Sequence, residues 1–372
     1  MSTRFYWVLL AVIVSVLILS CEKDPQPDNG LDLTDIQYNP KTFEVTVPQH
    51  FQPMPNIPGN PLTVDGIELG RHLFYDPILS RDSTISCESC HRQQLAFTDG
   101  RAKSIGIDGR VGPRSSMSLV NLAWAQNGLF WDGRVKTLEE QALHPIEDPL
   151  EMDEKLPNVV RKLQRHAKYP EMFRKAFGIN NTSEITPALI GKALAQFQRT
   201  IVSWDSKFDR SLYYQTEFFD GDELDGYLMM FVEDDRFFED AECVHCHNPG
   251  AFFTDNSYRH NGLISESEAA NNPGRMLFTS EMVDQGKFRV TTLRNIAVTG
   301  PYMHDGRIQT LEEVLDHYFS GGHPHPNRDG LLRFQAETNF SENQKQAMIK
   351  MLHTLTDSTL LTNPAYSNPF AD

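Results

Sequence analysis

Cys87-Glu88-Ser89-Cys90-His91 and, later in the chain, Cys243-Val244-His245-Cys246-His247 are the stretches that decide how this sequence is read. Cys-x-x-Cys-His is the attachment motif of c-type haem. The two thiols form thioethers to the porphyrin vinyl groups and the adjacent histidine falls on the iron as proximal ligand, which requires the three residues to be contiguous. A zinc ribbon would bring its cysteine pairs within about 15–20 residues of each other, whereas most of the chain separates Cys90 from Cys243. A redox-active Cys-x-x-Cys would accompany a βαβ pattern, and none is visible. Two disulfide loops would not demand a histidine after each. The motifs therefore predict two covalently bound haem c groups, one on Cys87, Cys90 and His91, the other on Cys243, Cys246 and His247.

Working outward, each motif sits inside a longer internal repeat. Gly70-Arg71-His72-Leu73-Phe74 begins 17 residues before Cys87, and Gly226-Tyr227-Leu228-Met229-Met230-Phe231 begins 17 before Cys243. Phe97-Thr98-Asp99 follows His91 at the spacing with which Phe253-Thr254-Asp255 follows His247. Ser118-Leu119-Val120-Asn121-Leu122-Ala123 is answered by Thr292-Leu293-Arg294-Asn295-Ile296-Ala297. Asp132-Gly133-Arg134-Val135-Lys136-Thr137-Leu138-Glu139-Glu140 is answered by Asp305-Gly306-Arg307-Ile308-Gln309-Thr310-Leu311-Glu312-Glu313. Five matches in one order make the protein two homologous modules in tandem. Thr137 and Thr310 read as helix N-caps with glutamates in the first turn. Thr186 and Pro187 open a long helix with apolar residues at helical period. Strand signals are sparse, so the fold class is mainly α, with two tandem cytochrome-c-like haem domains.

The chain has 372 residues, 5 cysteines and a formal net charge of −16. Residues 1–20 carry one basic residue, Arg4, then an apolar run ending Leu19-Ser20-Cys21, which reads as a lipoprotein signal with Cys21 the lipidated residue. A single transmembrane anchor is the alternative, although it needs roughly 20 apolar residues. Either way the bulk of the protein is exported, to a periplasm or cell envelope. Cleavage before Cys21 leaves a still more acidic chain, which disfavours nucleic acid and anionic lipid as partners and favours basic proteins. The predicted organisation is a signal (1–20), a polar tether (21–48), an N-terminal haem domain (49–205), a C-terminal haem domain (206–345) and a tail packing on both (346–372).

The repeat also serves as an internal control for the sixth iron ligand. Position for position, His144-Pro145 corresponds to His317-Tyr318. Tyrosine can ligate ferric haem; proline cannot. Residues 92–143 contain no histidine and offer only Met117 as a typical ligand. A second haem closed by Tyr318 and a first left open to a small oxidant are the expectation. His245 lies inside the haem loop but off the ligand position, His323 and His325 read as a surface turn, and His304 and His317 are candidates to line the second haem pocket.

Through Ile85-Ser86 and the first Cys-x-x-Cys-His, Phe130-Trp131-Asp132-Gly133-Arg134, Glu140-Gln141-Ala142, and Thr292-Leu293-Arg294-Asn295 to Pro301-Tyr302-Met303-His304-Asp305-Gly306, the chain resembles the bacterial di-haem cytochrome c peroxidase and MauG superfamily. The likeness runs roughly from Pro61 to Tyr318. It implies that Glu140 is the acid/base over the open haem, with a solvated first-turn glutamate as the alternative. It implies a calcium ion between the domains, held partly by the carbonyls of Thr299 and Pro301. Where such peroxidases carry methionine on the second haem this chain has Tyr318, as MauG-like proteins do, and the histidine loop that closes the first haem is missing. The tryptophan placed between the haems falls at Val120, so electrons need another route; Trp124 is the candidate relay, and both Trp124 and Trp131 also suit a core. The implied activity is hydrogen peroxide reduction with electrons from a cytochrome donor. A MauG-like oxidase, using high-valent haem iron to modify a partner protein, and a non-catalytic electron-transfer protein are the alternatives.

Overall fold

A computed structural model of the chain describes residues 30–125, 127–233 and 240–371; Cys21 and the signal-like segment lie outside the described residues. The first module comprises α1 (Val64–Tyr75), the short helices α2 (Leu138–Gln141) and α3 (His144–Glu147), then α4 (Leu156–Arg165), α5 (Tyr169–Phe177) and α6 (Pro187–Thr200). The second comprises α7 (Lys207–Leu212), α8 (Gly221–Phe231), α9 (Glu266–Asn271), α10 (Met276–Thr279), α11 (Leu311–Phe319), α12 (Leu331–Glu337) and α13 (Glu342–His353). After it, α14 (Ser358–Thr362) returns to the first module. The regular strands among the described residues are two-residue pieces, β1 (Tyr258–Arg259) and β2 (Phe288–Arg289), paired antiparallel.

Each module is built on one helix crossing. Thr63 caps α1 by accepting from Gly66 N, and the helix stops where Asp76 precedes Pro77. Thr186 caps α6 and Pro187 fills its first position, as the sequence predicts. A Cβ on Gly70 would lie 2.0 Å from the carbonyl oxygen of Ala193, and one on Gly226 would lie 2.3 Å from that of Ala347. These glycines let α1 close on α6 and α8 on α13, burying Leu69, Leu73 and Phe197 in one core and Met230, Met348 and Leu352 in the other. The long helix after Thr186 is thus the closing helix of module one, and α13 is its counterpart.

Two expectations about the chain ends change. The 345/346 boundary falls inside α13, whose Met348 and Met351 are core residues of module two; the part of the chain that docks elsewhere begins near Asp357. There Leu360 enters the first core, its carbonyl accepts from Gln93 Nε2 (2.9 Å), and the Tyr366 hydroxyl donates to Thr200 O (2.6 Å). At the other end, residues from 30 onward do not behave as a free tether. Leu33 is buried in the first core, and Leu33 N and Phe43 N donate to Asn180 O and Leu62 O. An apolar residue and backbone pairing in an otherwise polar stretch are enough to dock it. The Pro-rich arm that follows clasps both modules, with Phe51 edge-on to Trp124 and to Phe252.

The modules meet with matched bonds. Ser115 N donates to His304 O (3.1 Å) and Arg289 N donates to Trp131 O (2.8 Å). Trp131 and His304 are repeat equivalents, and their rings face one another edge-on.

Candidate haem sites

Both Cys-x-x-Cys-His runs fold as tight turns. Cys87–Ser89 is a single 3-10 turn, and His91 N and His247 N donate back to Cys87 O and Cys243 O. All four cysteines are free of disulfides. Burial pushes the thiols of Cys87, Cys90 and Cys243 up to about 12, so they are kept protonated.

The third repeat element has a purpose that its sequence does not announce. His91 Nδ1 lies 2.8 Å from Phe97 O, and His247 Nδ1 lies 3.0 Å from Phe253 O. A carbonyl only accepts, so Nδ1 carries the proton and Nε2 presents its lone pair, the tautomer a proximal ligand requires. Burial holds both imidazoles below the ordinary histidine range, keeping them neutral. Phe97 and Phe253 aim those carbonyls by adopting positive φ, 61° and 51°, and are themselves buried. The donor set therefore fits two haem c groups.

At the repeat-equivalent positions 145 and 318 the modules diverge. Tyr318 on α11 shares a cavity of about 270 Å³ with His247, Cys243 and Cys246. Burial pushes its phenol up to about 12, opposed by a hydrogen bond with Asn261. Pro145, its equivalent, instead lines a pocket of about 220 Å³ with Arg134, His144, Glu147, Asp148 and Glu151. Glu151 was not singled out from sequence. Burial, reinforced by Asp148 and opposed by Arg134, raises its carboxyl to about 7. No spacing rule marks it; the fold of the loop after α3 puts it there.

Glu140 is exposed at the end of the first turn of α2. Its equivalent Glu313 closes a capping box, accepting from Gln309 N (2.7 Å) and Thr310 N (3.2 Å). Glu140 makes no such bond: Thr137 Oγ1 accepts from Glu140 N, but the carboxylate takes no hydrogen bond from the described residues. The neighbouring Glu139 is the committed one, bound to Arg199 (2.8 Å) and Asn60 (2.6 Å). The two first-turn glutamates of the repeat are therefore not in the same situation.

Among the remaining candidates, Val120, Trp124 and Trp131 all line the larger cavity, as do Thr299 and Pro301. The Trp124 indole donates to Gln52 O (3.0 Å) and its ring packs on Phe252 of the second haem loop. No cluster of three or more His, Cys, Asp or Glu suited to a metal occurs among the described residues. His304 lines the cavity and accepts from Asn272 Nδ2 at Nε2 (3.0 Å). His317 is bonded through Nε2 to Asn261 O (2.9 Å), and His245 pairs with Glu242 (2.8 Å). His325 stacks on the buried His260.

Residues 64–217 match the family model for di-haem cytochrome c peroxidase. The methylamine utilization protein MauG of Methylorubrum extorquens is 36% identical over 81% of this chain and 81% of its own length. The cytochrome c551 peroxidase of Nitrosomonas europaea is 35% identical over 80% of this chain and 81% of its own. A crystal structure of a MauG-like protein associated with microbial copper homeostasis superimposes with a TM-score of 0.79 at 33% identity, covering 89% of this chain and 100% of that one.

Proposed function

Since the chain belongs to the di-haem cytochrome c peroxidase and MauG family of oxidoreductases, we propose that it reduces hydrogen peroxide at an open haem in the first module, with electrons passing through a haem closed by His247 and Tyr318 in the second. The observation that carries this reading is the unequal pair Pro145 and Tyr318. Tyr318 shares its cavity with His247, while the equivalent position in module one, Pro145, holds a side chain with no donor atom.

Haem iron, once bound, supplies the centre at which the O–O bond is broken. The chain's own groups do the rest. His91 is held by Phe97 O with Nε2 free to ligate a haem iron, and Pro145 offers no donor atom that could compete for it. Glu140, whose carboxylate is not spent in a capping box, moves a proton between peroxide oxygens. Glu151 holds a proton near neutral pH in the same pocket as Pro145. Each peroxide takes up two electrons and two protons and leaves as two waters. The electrons come from a soluble cytochrome, and the acidic chain favours a basic one. The protein is held at the cell envelope by lipid on Cys21; among the described residues no helix is long and apolar enough to cross a membrane.

A MauG-like reading, in which the oxidising equivalents are spent on a partner protein, is favoured by Tyr318 together with the MauG relative. Electron paramagnetic resonance of the oxidised protein tests the main proposal. One high-spin signal that shifts on adding cyanide beside one unresponsive low-spin signal is expected; two cyanide-inert low-spin signals overturn it. Turnover of reduced small cytochromes, against covalent change in a co-purified protein, separates the two readings.

A further inference from the structure

The two proximal histidines, alike in their carbonyl bond, differ in one further neighbour. Ser116 Oγ lies 3.2 Å from His91 Nδ1 and donates its own proton to Cys90 O at 2.7 Å. With that proton committed, the hydroxyl can only present a lone pair to the imidazole N–H. His91 therefore shares its Nδ1 proton between Phe97 O at 2.8 Å and Ser116 Oγ, and the Met117 backbone also bears on the ring. In the repeat alignment the equivalent of Ser116 is Val290, which has no acceptor atom in its side chain, and among the described residues Phe253 O, at 3.0 Å, is the hydrogen-bond partner of His247 Nδ1.

The hydroxyl is also held from the other module. Ser115, the preceding residue, donates through N to His304 O (3.1 Å) and through Oγ to Met303 O (2.8 Å), while its carbonyl accepts from Trp131 Nε1 (2.9 Å). Three bonds on one residue, two of them crossing the seam, leave Ser116 little freedom to turn away.

We propose that Ser116 is a positioning residue that makes the two haem sites electronically unequal, by drawing the Nδ1 proton of His91 and so strengthening Nε2 as a donor to the first-module iron. A proximal imidazole with more imidazolate character favours the oxidised iron and lowers its reduction potential. The first site is thereby biased toward giving electrons to peroxide, and Val290 withholds that bias from the second. This rests on the reading that His91 and His247 each carry a haem, and not on which substrate is turned over.

The test exchanges the two side chains in the holoprotein. Ser116→Val, which copies module two, is expected to shift the ferric–ferrous balance of the first haem about tenfold toward ferrous, which for one electron is about 59 mV upward. It is also expected to lower the iron–histidine stretch in the resonance Raman spectrum of the reduced first haem. The second haem should not move. Ser116→Thr, which keeps the hydroxyl, restores both values. Val290→Ser shifts the second haem in the opposite sense. Unchanged potential and stretch in a folded Ser116→Val protein with both haems attached overturn the proposal. Failure of the peroxidase reading is seen separately, as absence of the cyanide-responsive haem in the parent protein.

Discussion

Replacing Arg294 by methionine tests the electrostatics that hold the second haem loop. Its guanidinium binds Asp209 by two parallel bonds of 2.8 Å, and Nε donates to Ala251 O at 2.5 Å. Both side chains are 0% exposed. Asp209 also accepts from Ser206 N (2.9 Å) and Ser206 Oγ (2.7 Å), and His50 Nε2 stands 3.6 Å away. Methionine fills much of the same volume but leaves a fully buried carboxylate with two short hydrogen bonds, both from Ser206. Removing one partner of such a pair costs about 3–5 kcal/mol. For a module of this size each kcal/mol moves the midpoint by about 2–4 °C, so a fall of roughly 6–20 °C is expected.

The effect should be confined to module two. Ala251 precedes the turn that aims Phe253 O at His247, so the second haem's Soret band should broaden while the first stays as it was. Thermal unfolding followed by circular dichroism, with the Soret band recorded alongside, gives both readouts. Asp209→Leu combined with Arg294→Met removes the stranded charge and should regain most of the loss, since an apolar pair often replaces a buried ion pair without penalty. A single variant that loses less than about 1 kcal/mol, or a double variant no better than the single, refutes the reasoning.

Glu140→Gln should lower peroxide turnover by about 10²–10⁴-fold with both haem spectra unchanged, as loss of a general acid–base group does; steady-state assay within a few-fold of the parent would remove Glu140 from the mechanism. Glu151, with its carboxyl raised to about 7, is protonated below that pH and ionised above it. If it supplies a proton, the rate falls as pH rises through about 7, and Glu151→Gln erases that limb of the pH–rate profile. The sign for stability is the same. A raised acid favours the proton-bound fold, so the parent should lose stability relative to Glu151→Gln as pH climbs from about 4.5 past 7, visible as diverging midpoints in denaturant titrations.

Contiguous chemistry was legible in the chain, because a thioether pair and its histidine lie within five residues and Thr186-Pro187 ahead of an apolar stretch of helical period reads as a helix start. The repeat was legible as well: Gly70 and Gly226, and Phe97 and Phe253, recur because each does the same job in both modules. What those tasks are was not legible. A glycine that admits a neighbouring helix looks no different, in sequence, from one that only turns a loop. The capping box that engages Glu313 and leaves Glu140 free is also invisible, since both read as Thr-Leu-Glu-Glu.

The sequence by itself pointed to two haem modules and to the residues that would attach each group, and it showed that position 145 carries no donor atom where position 318 carries one. Each of these follows from what a side chain's atoms are able to bond, and needs no knowledge of its neighbours. Only the tertiary structure decided that α13 closes module two, that residues 30 onward dock, that Glu151 shares a pocket with Pro145, and that the seam at Trp131 and His304 sets Ser116 beside His91. Those outcomes depend on which surfaces, far apart in the chain, bury one another. Burial is what raises a carboxyl or fixes a hydroxyl, and it is a property of the packed whole rather than of any stretch of residues.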